Sequence, residues 1–190
     1  MNAKLGIFLL AFTLATAAHA SEIVLPDACG SDKIKFDVGT KKNQPPPAAP
    51  ADGKARIVFI YTFSKVVATL GNAGTTRFGI DGTWAGAASQ DSYFVVDVAP
   101  GEHNLCSAMQ SQALMSKNFQ KTTIGMSTFT AEAGKTYYFE FLLSQGVAHV
   151  STGGTPGTAV SSSTSFTRLD DPQGKFRVKS SALSTSTAQK

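Results

Sequence analysis

Residues 135–143 read KTYYFEFLL, and their alternation constrains the fold more than any other feature of the chain. Tyr137, Phe139, Phe141 and Leu143 fall on one side of an extended backbone, and Thr136, Tyr138, Glu140 and Leu142 fall on the other. A period of two is the pattern of a β-strand with a buried face. Residues 56–63 (RIVFIYTF) are β-branched and aromatic almost throughout, as a buried strand requires. Residues 78–80 run into Asp81-Gly82 and leave through 83–85, and Asp-Gly between two such runs signals a hairpin, since both positions tolerate positive φ. Residues 93–98 (YFVVDV) are a further strand, turned by Pro100-Gly101. Residues 103–109 are expected to pair back against it, with Cys106 on the side shared by Asn104 and Ala108.

The remaining segments are shorter. Residues 110–121 (QSQALMSKNFQK) fit either a loop or a short helix. Residues 122–130 read as a strand that Ala133-Gly134 turns into 135–143, and 147–150 read as another short strand. The Gly/Ser/Thr-rich stretch 151–165 reads as a loop, and 166–169 as a last short strand stopped by Asp170-Asp171-Pro172. Six to eight short strands with no long helical period predict an all-β antiparallel sandwich, with a small open β-barrel as the alternative.

The two ends carry different messages. Lys4, the apolar run 5–17 (LGIFLLAFTLATA) and Ala18-His19-Ala20 compose a signal peptide over residues 1–20, cleaved after Ala20. The run is shorter than the roughly 18 to 20 residues that span a bilayer. Asp27 stands two residues before Cys29, where a lipoprotein signal wants small apolar residues, so a soluble periplasmic or secreted product is expected, without an integral membrane segment. Residues 21–51 form an arm and a linker, made stiff and extended by Pro45, Pro46, Pro47 and Pro50. The β domain is expected over 52–169. Residues 170–190 are polar and poor in large apolar side chains, which predicts a disordered tail.

Cys29 and Cys106 are the only cysteines, and an even count in an exported chain favours a disulfide. Such a bridge stabilises by about 4 kcal/mol in the chain-entropy treatment. A reactive thiol at Cys106, three residues from His103, is the lesser reading.

Several of these segments, taken in order, resemble a known family. They are Pro50-Ala51-Asp52-Gly53-Lys54-Ala55 before IVFIY, Asp81-Gly82-Thr83-Trp84-Ala85-Gly86, Ser92-Tyr93-Phe94, Pro100-Gly101-Glu102-His103 and the run 131–139 (AEAGKTYYF). The set resembles the bacterial family known as domain of unknown function 2846, across about residues 50–150. Its hairpin followed by a P-G-x-H turn is also similar to the PEGA-type repeat. The resemblance implies a small sandwich of the transthyretin-like or carboxypeptidase-regulatory-like sort, in exported envelope proteins and lipoproteins. It carries no catalytic residue over to this chain.

Motifs for catalysis are few. His103 and His149 have no neighbouring His, Asp or Glu at metal-ligand spacing, so neither a metal nor any other cofactor is expected. There is no G-x-S-x-G elbow, and Gly153-Gly154-Thr155-Pro156-Gly157 lacks the lysine of a phosphate loop. Seventeen Lys and Arg face thirteen Asp and Glu, and losing Lys4 leaves an excess of three. The local concentrations, Lys41-Lys42 and the tail's Lys175, Arg177, Lys179 and Lys190, form no dense stripe, so nucleic acid is not an expected partner. Trp84, beside a hairpin tip, and His103, after the Pro-Gly turn, are the candidate binding surface; packing into the core is the plainer account of the tryptophan. The expectation is a non-enzymatic envelope module that binds a protein or a cell-wall glycan. The alternative is a small-ligand carrier, or a hydrolase whose site is assembled from distant residues.

Overall fold

The run 56–63 is apolar at nearly every position because its strand is buried on both faces. Strand β2 (Ala55–Lys65) lies inside a six-stranded sheet, antiparallel to β5 (Ser92–Val98) on one side and parallel to β8 (Thr136–Thr152) on the other. Ile57, Phe59, Tyr61 and Phe63 face the core between the sheets, whereas Val58 and Ile60 face a second apolar cluster on the outer side. Runs of this kind belong to strands covered twice. The computed structural model describes residue 27 and residues 29–65, 74–110, 123–152 and 155–189. The expected signal peptide over residues 1–20 and nearly all of the ambiguous segment 110–121 lie outside the described residues.

Among the described residues the remaining strands are β1 (Phe36–Lys41), β3 (Thr75–Ile80), β4 (Thr83–Ser89), β6 (Gly101–Met109), β7 (Gly125–Ala131), β9 (Thr155–Leu169) and β10 (Ala182–Ala188), with one helix, α1 (Asp171–Ser180). The large sheet has the order β1-β10-β5-β2-β8-β9, and the small one β4-β3-β6-β7. The two pack face to face as an all-β sandwich, and neither closes into a barrel. Phe59, Phe78, Phe94 and Phe139 meet at its centre, with Phe59 and Phe78 stacked at 4.9 Å across the two sheets. The alternating residues Tyr137, Phe139, Phe141 and Leu143 all lie in this core.

Four expectations need correction. Residues 103–109 do not pair with 93–98: β5 belongs to the large sheet and β6 to the small one, so Pro100-Gly101 carries the chain across the sandwich. Both strands have a better partner elsewhere, β5 on β2 and β6 between β3 and β7. Residues 151–152 and 155–165 are strand rather than loop: β8 and β9 pair in unbroken antiparallel register from Tyr138↔Leu169 to Thr152↔Thr155, absorbing 147–150 and 166–169 as well. Serine, threonine and small residues satisfy a backbone ladder as readily as larger ones. The sheet is also mixed, with parallel pairs β2/β8 and β5/β10.

The fourth correction concerns the tail. Residues 170–190 were expected to be disordered, and 171–188 instead form α1 and β10. Asp170 caps the helix by accepting the Gln173 N–H at 2.8 Å, and Pro172 sits in the first turn, where its missing donor is harmless. β10 inserts between β1 and β5. There the Ser184 and Ser186 hydroxyls accept N–H groups of Ser89 (3.4 Å) and Ala87 (3.2 Å) on β4. Polar composition therefore serves to close the seam between the two sheets. The folded unit extends beyond 52–169 at both ends, since β1 of the arm and β10 of the tail pair along their whole length.

Candidate functional site

Trp84 is covered. It lies on the outer face of the small sheet in a minor core with Cys29, Cys106 and Ala108, beneath the N-terminal arm. Its indole Nε1–H donates to the Ser31 carbonyl at 2.7 Å, and a Cβ on Gly30 would stand 2.4 Å from its ring, so only glycine passes there. The guanidinium of Arg77 stacks 4.4 Å from the ring centroid, and donates to the carbonyls of Asp32 and Ile34. The Cys29–Cys106 disulfide, with Cα atoms 5.2 Å apart, ties the arm to β6. The expectation of a binding surface at Trp84 is thus corrected. The arm that the disulfide anchors covers the indole, and the Arg77 guanidinium lies over the ring.

His103 has a structural task. Its Nδ1 lies 2.7 Å from Asp81 Oδ2 and its Nε2 lies 2.8 Å from the Ala99 carbonyl, while Asp81 Oδ1 accepts the Asn104 N–H at 2.8 Å. Asp81 (φ 49°) and Gly82 (φ 79°) make the tight hairpin turn anticipated from the sequence. The two turn motifs, Asp81-Gly82 and Pro100-Gly101-Glu102-His103, are therefore bolted to each other by an ion pair. Burial works against a charged imidazole, but the Ala99 carbonyl and the Asp81 carboxylate outweigh it and raise the His103 pKa above the ordinary value. Burial works against the Asp81 carboxylate too, and the Asn104 N–H and His103 outweigh it to lower that pKa. A recess of about 560 Å³ borders this lock, lined by Asp27, Asp81, Asn104 and Met126. Among the described residues no group of three or more His, Cys, Asp or Glu could hold a metal ion.

A more developed concavity lies on the opposite side of the molecule, where α1 covers the outer face of the large sheet. Gly174 lets the helix descend onto the Tyr138 ring, since a Cβ there would stand 2.1 Å from Tyr138 Cγ. Val178 joins Val58, Ile60 and Tyr93 in the outer apolar cluster. Arg177 Nε pairs with Glu140 Oε1 at 2.9 Å, and the Thr62 hydroxyl donates to the same oxygen at 2.7 Å. The proline-rich segment runs alongside and is also fixed. Asp97 takes Arg56 in a two-pronged pair (2.7 and 2.9 Å) and accepts the Ala51 N–H at 3.2 Å, while Arg56 donates to the Ala48 carbonyl. Between helix and segment lies a groove of about 570 Å³, lined by Gln44, Pro46, Pro47, Tyr138, Lys175, Val178 and Lys179.

This groove gathers what the sequence kept apart. Lys41-Lys42 and Lys175–Lys179 are more than 130 positions distant in the chain, yet β1 pairs with β10, placing Lys41 opposite Leu183 just beyond the helix. The Lys42 carbonyl accepts from Gln44 Nε2 at 3.2 Å, at the groove's edge. The charge concentrations and the proline run were legible; their convergence was not.

The family described as Protein of unknown function (DUF2846) matches residues 51–155, from the turn before β2 to the start of β9. Within the groove only Tyr138 falls inside that match, and the other lining residues come from the flanking segments. No curated protein and no solved structure matches the chain. The match covers more than half of the sequence, and its bounds agree with the order of turn motifs read from the residues: the chain belongs to the DUF2846 family.

Proposed function

We propose that this protein is an exported, non-enzymatic envelope module that binds a protein partner or a cell-wall glycan through the groove between the proline-rich segment and α1. The observation that carries the reading is that both walls are fixed by dedicated contacts. Gly174 on Tyr138 seats the helix, and Arg56 with Asp97 holds the segment. A groove with preformed walls loses little conformational freedom on binding. The disulfide supports export, because such bonds persist in oxidising compartments. Among the described residues no helix is long and apolar enough to cross a membrane.

Two measurements test this. The mature protein recovered from the expressing cells should begin at Ser21 by mass spectrometry, and retention of residues 1–20 would remove the export claim. A photo-crosslinking residue at Pro46 and another at Lys179 should capture the same envelope species. One at Met126, exposed on the far side, should not. Equal capture at all three positions, or none at the groove, would refute the groove as the binding site.

A further inference from the structure

The groove has a chemistry more specific than concavity. Its walls and floor are mostly apolar, from Pro46, Pro47, Tyr138 and Val178, and no carboxylate lines it. Lys175 and Lys179 are among its lining residues, and the Lys42 backbone is bonded to Gln44 at its edge. Lys175 is held at 2.7 Å by Asp171 across one helical turn, whereas among the described residues neither Lys179 nor Lys42 has a carboxylate within ion-pair distance. Phe176, which lies between Lys175 and Lys179 in the helix sequence, is 65% exposed.

We propose that the groove receives an extended acidic segment of a partner protein, with one large apolar side chain seated between the prolines and Val178 and flanking carboxylates on Lys42, Lys175 and Lys179. This deepens the function proposed above and rests on it. Charge complementarity selects an anionic partner, since an acidic chain meets the Lys42 and Lys179 ammonium groups without displacing a resident carboxylate and shares that of Lys175 with Asp171. The apolar lining selects a peptide over a glycan. A sugar needs a partner for each hydroxyl it buries, and apart from the lysines the side chains here offer only the Gln44 amide and the Tyr138 hydroxyl. The volume falls within the range of about 300–1,000 Å³ typical of ligand sites. Pro46 and Pro47 have no N–H to give, so the wall cannot add a strand to the ligand and recognition falls to side chains.

The test uses the mature, disulfide-bonded chain and a fluorescent peptide of six glutamates around one tryptophan, followed by anisotropy at low salt. Comparison peptides replace the tryptophan by alanine or the glutamates by lysines, and polygalacturonate serves as the anionic glycan. The expected result is saturable binding that falls at least tenfold in Lys42→Glu/Lys179→Glu, and at least several-fold with the alanine peptide or in Phe176→Ser. Near-unchanged Trp84 fluorescence shows that the variants remain folded. The proposal is overturned if the acidic peptide does not bind, if the double variant binds it equally, or if polygalacturonate displaces it whatever its apolar residue. In that last case crosslinking from Pro46 and Lys179 would still succeed, so the groove would stand as the binding site and only the peptide assignment would fall.

Discussion

The bolt between Asp81 and His103 predicts a pH-dependent contribution to stability that one substitution removes. With the imidazole charged, Nδ1–H donates to Asp81 and Nε2–H to the Ala99 carbonyl. A neutral ring has one N–H and must leave one of the two acceptors facing a lone pair. The His103 pKa is raised in the folded protein, so its contribution is complete below the unfolded value of about 6.5 and is lost as pH rises through the folded value. The Asp81 pKa is lowered, so its contribution is complete above about 3.9 and is lost as pH falls through the folded value. The bolt is therefore at full strength between about pH 4 and 6.5. A hydrogen bond between charged groups contributes about 1.5–3 kcal/mol. The His103 side chain is 12% exposed but that of Asp81 is 46% exposed, and solvent screening brings the expectation to about 1–2 kcal/mol. Asp81→Asn keeps a residue that tolerates positive φ and removes only the charge. Urea unfolding followed by the fluorescence of Trp84 should show the variant less stable by that amount at pH 5.5, about 3–6 °C in Tm, with the gap closing at pH 8.5. A gap of the same size at both pH values, or a His103 pKa at or below 6.5 by NMR titration of the wild type, would refute the reasoning.

Three further outcomes follow from the packing. Replacing both cysteines by serine should lower stability by up to about 4 kcal/mol, and the unfolded, unreduced wild type should titrate with no free thiol. Trp84→Ala should cost about 3 kcal/mol or more and increase proteolysis of the arm at 30–35, because the indole fills the minor core and bonds Ser31; an arm as protected as in the wild type would contradict this placement. Gly174→Ala, which at an exposed helix position would stabilise, should here destabilise by about 1–3 kcal/mol by forcing α1 off Tyr138. A more stable variant would mean that the helix does not sit so close.

Much of this protein follows from local chemistry. The alternation at 135–143, the doubly apolar run 56–63 and the Asp-Gly and Pro-Gly turns are preferences of the backbone and of water, so they specified strands, turns and a sandwich without any tertiary knowledge. The cysteine pair was equally legible, because parity and an apparent export signal bear on it directly. What failed was partner choice. Nothing local told β5 to choose β2 over β6, since pairing is decided by which faces are buried when all the strands compete. The tail misled for a related reason. Its serines are poor core formers in isolation, but β10 finds open places beside β1 and β5, and its hydroxyls meet the N–H groups of β4. The residues marked for binding shared this fate: Trp84 was buried by an arm tied down from 77 residues away, and His103 was taken up by a turn. The groove is the converse case, since its prolines, tyrosine and lysines come from three distant segments that the β1–β10 pairing and the seat of Gly174 on Tyr138 bring together. The sequence by itself determined the core strands and turns between 55 and 143 and the disulfide, because those depend on near neighbours and residue counts. Only the tertiary structure decided which surface is left to bind, because that depends on what every other segment has already covered.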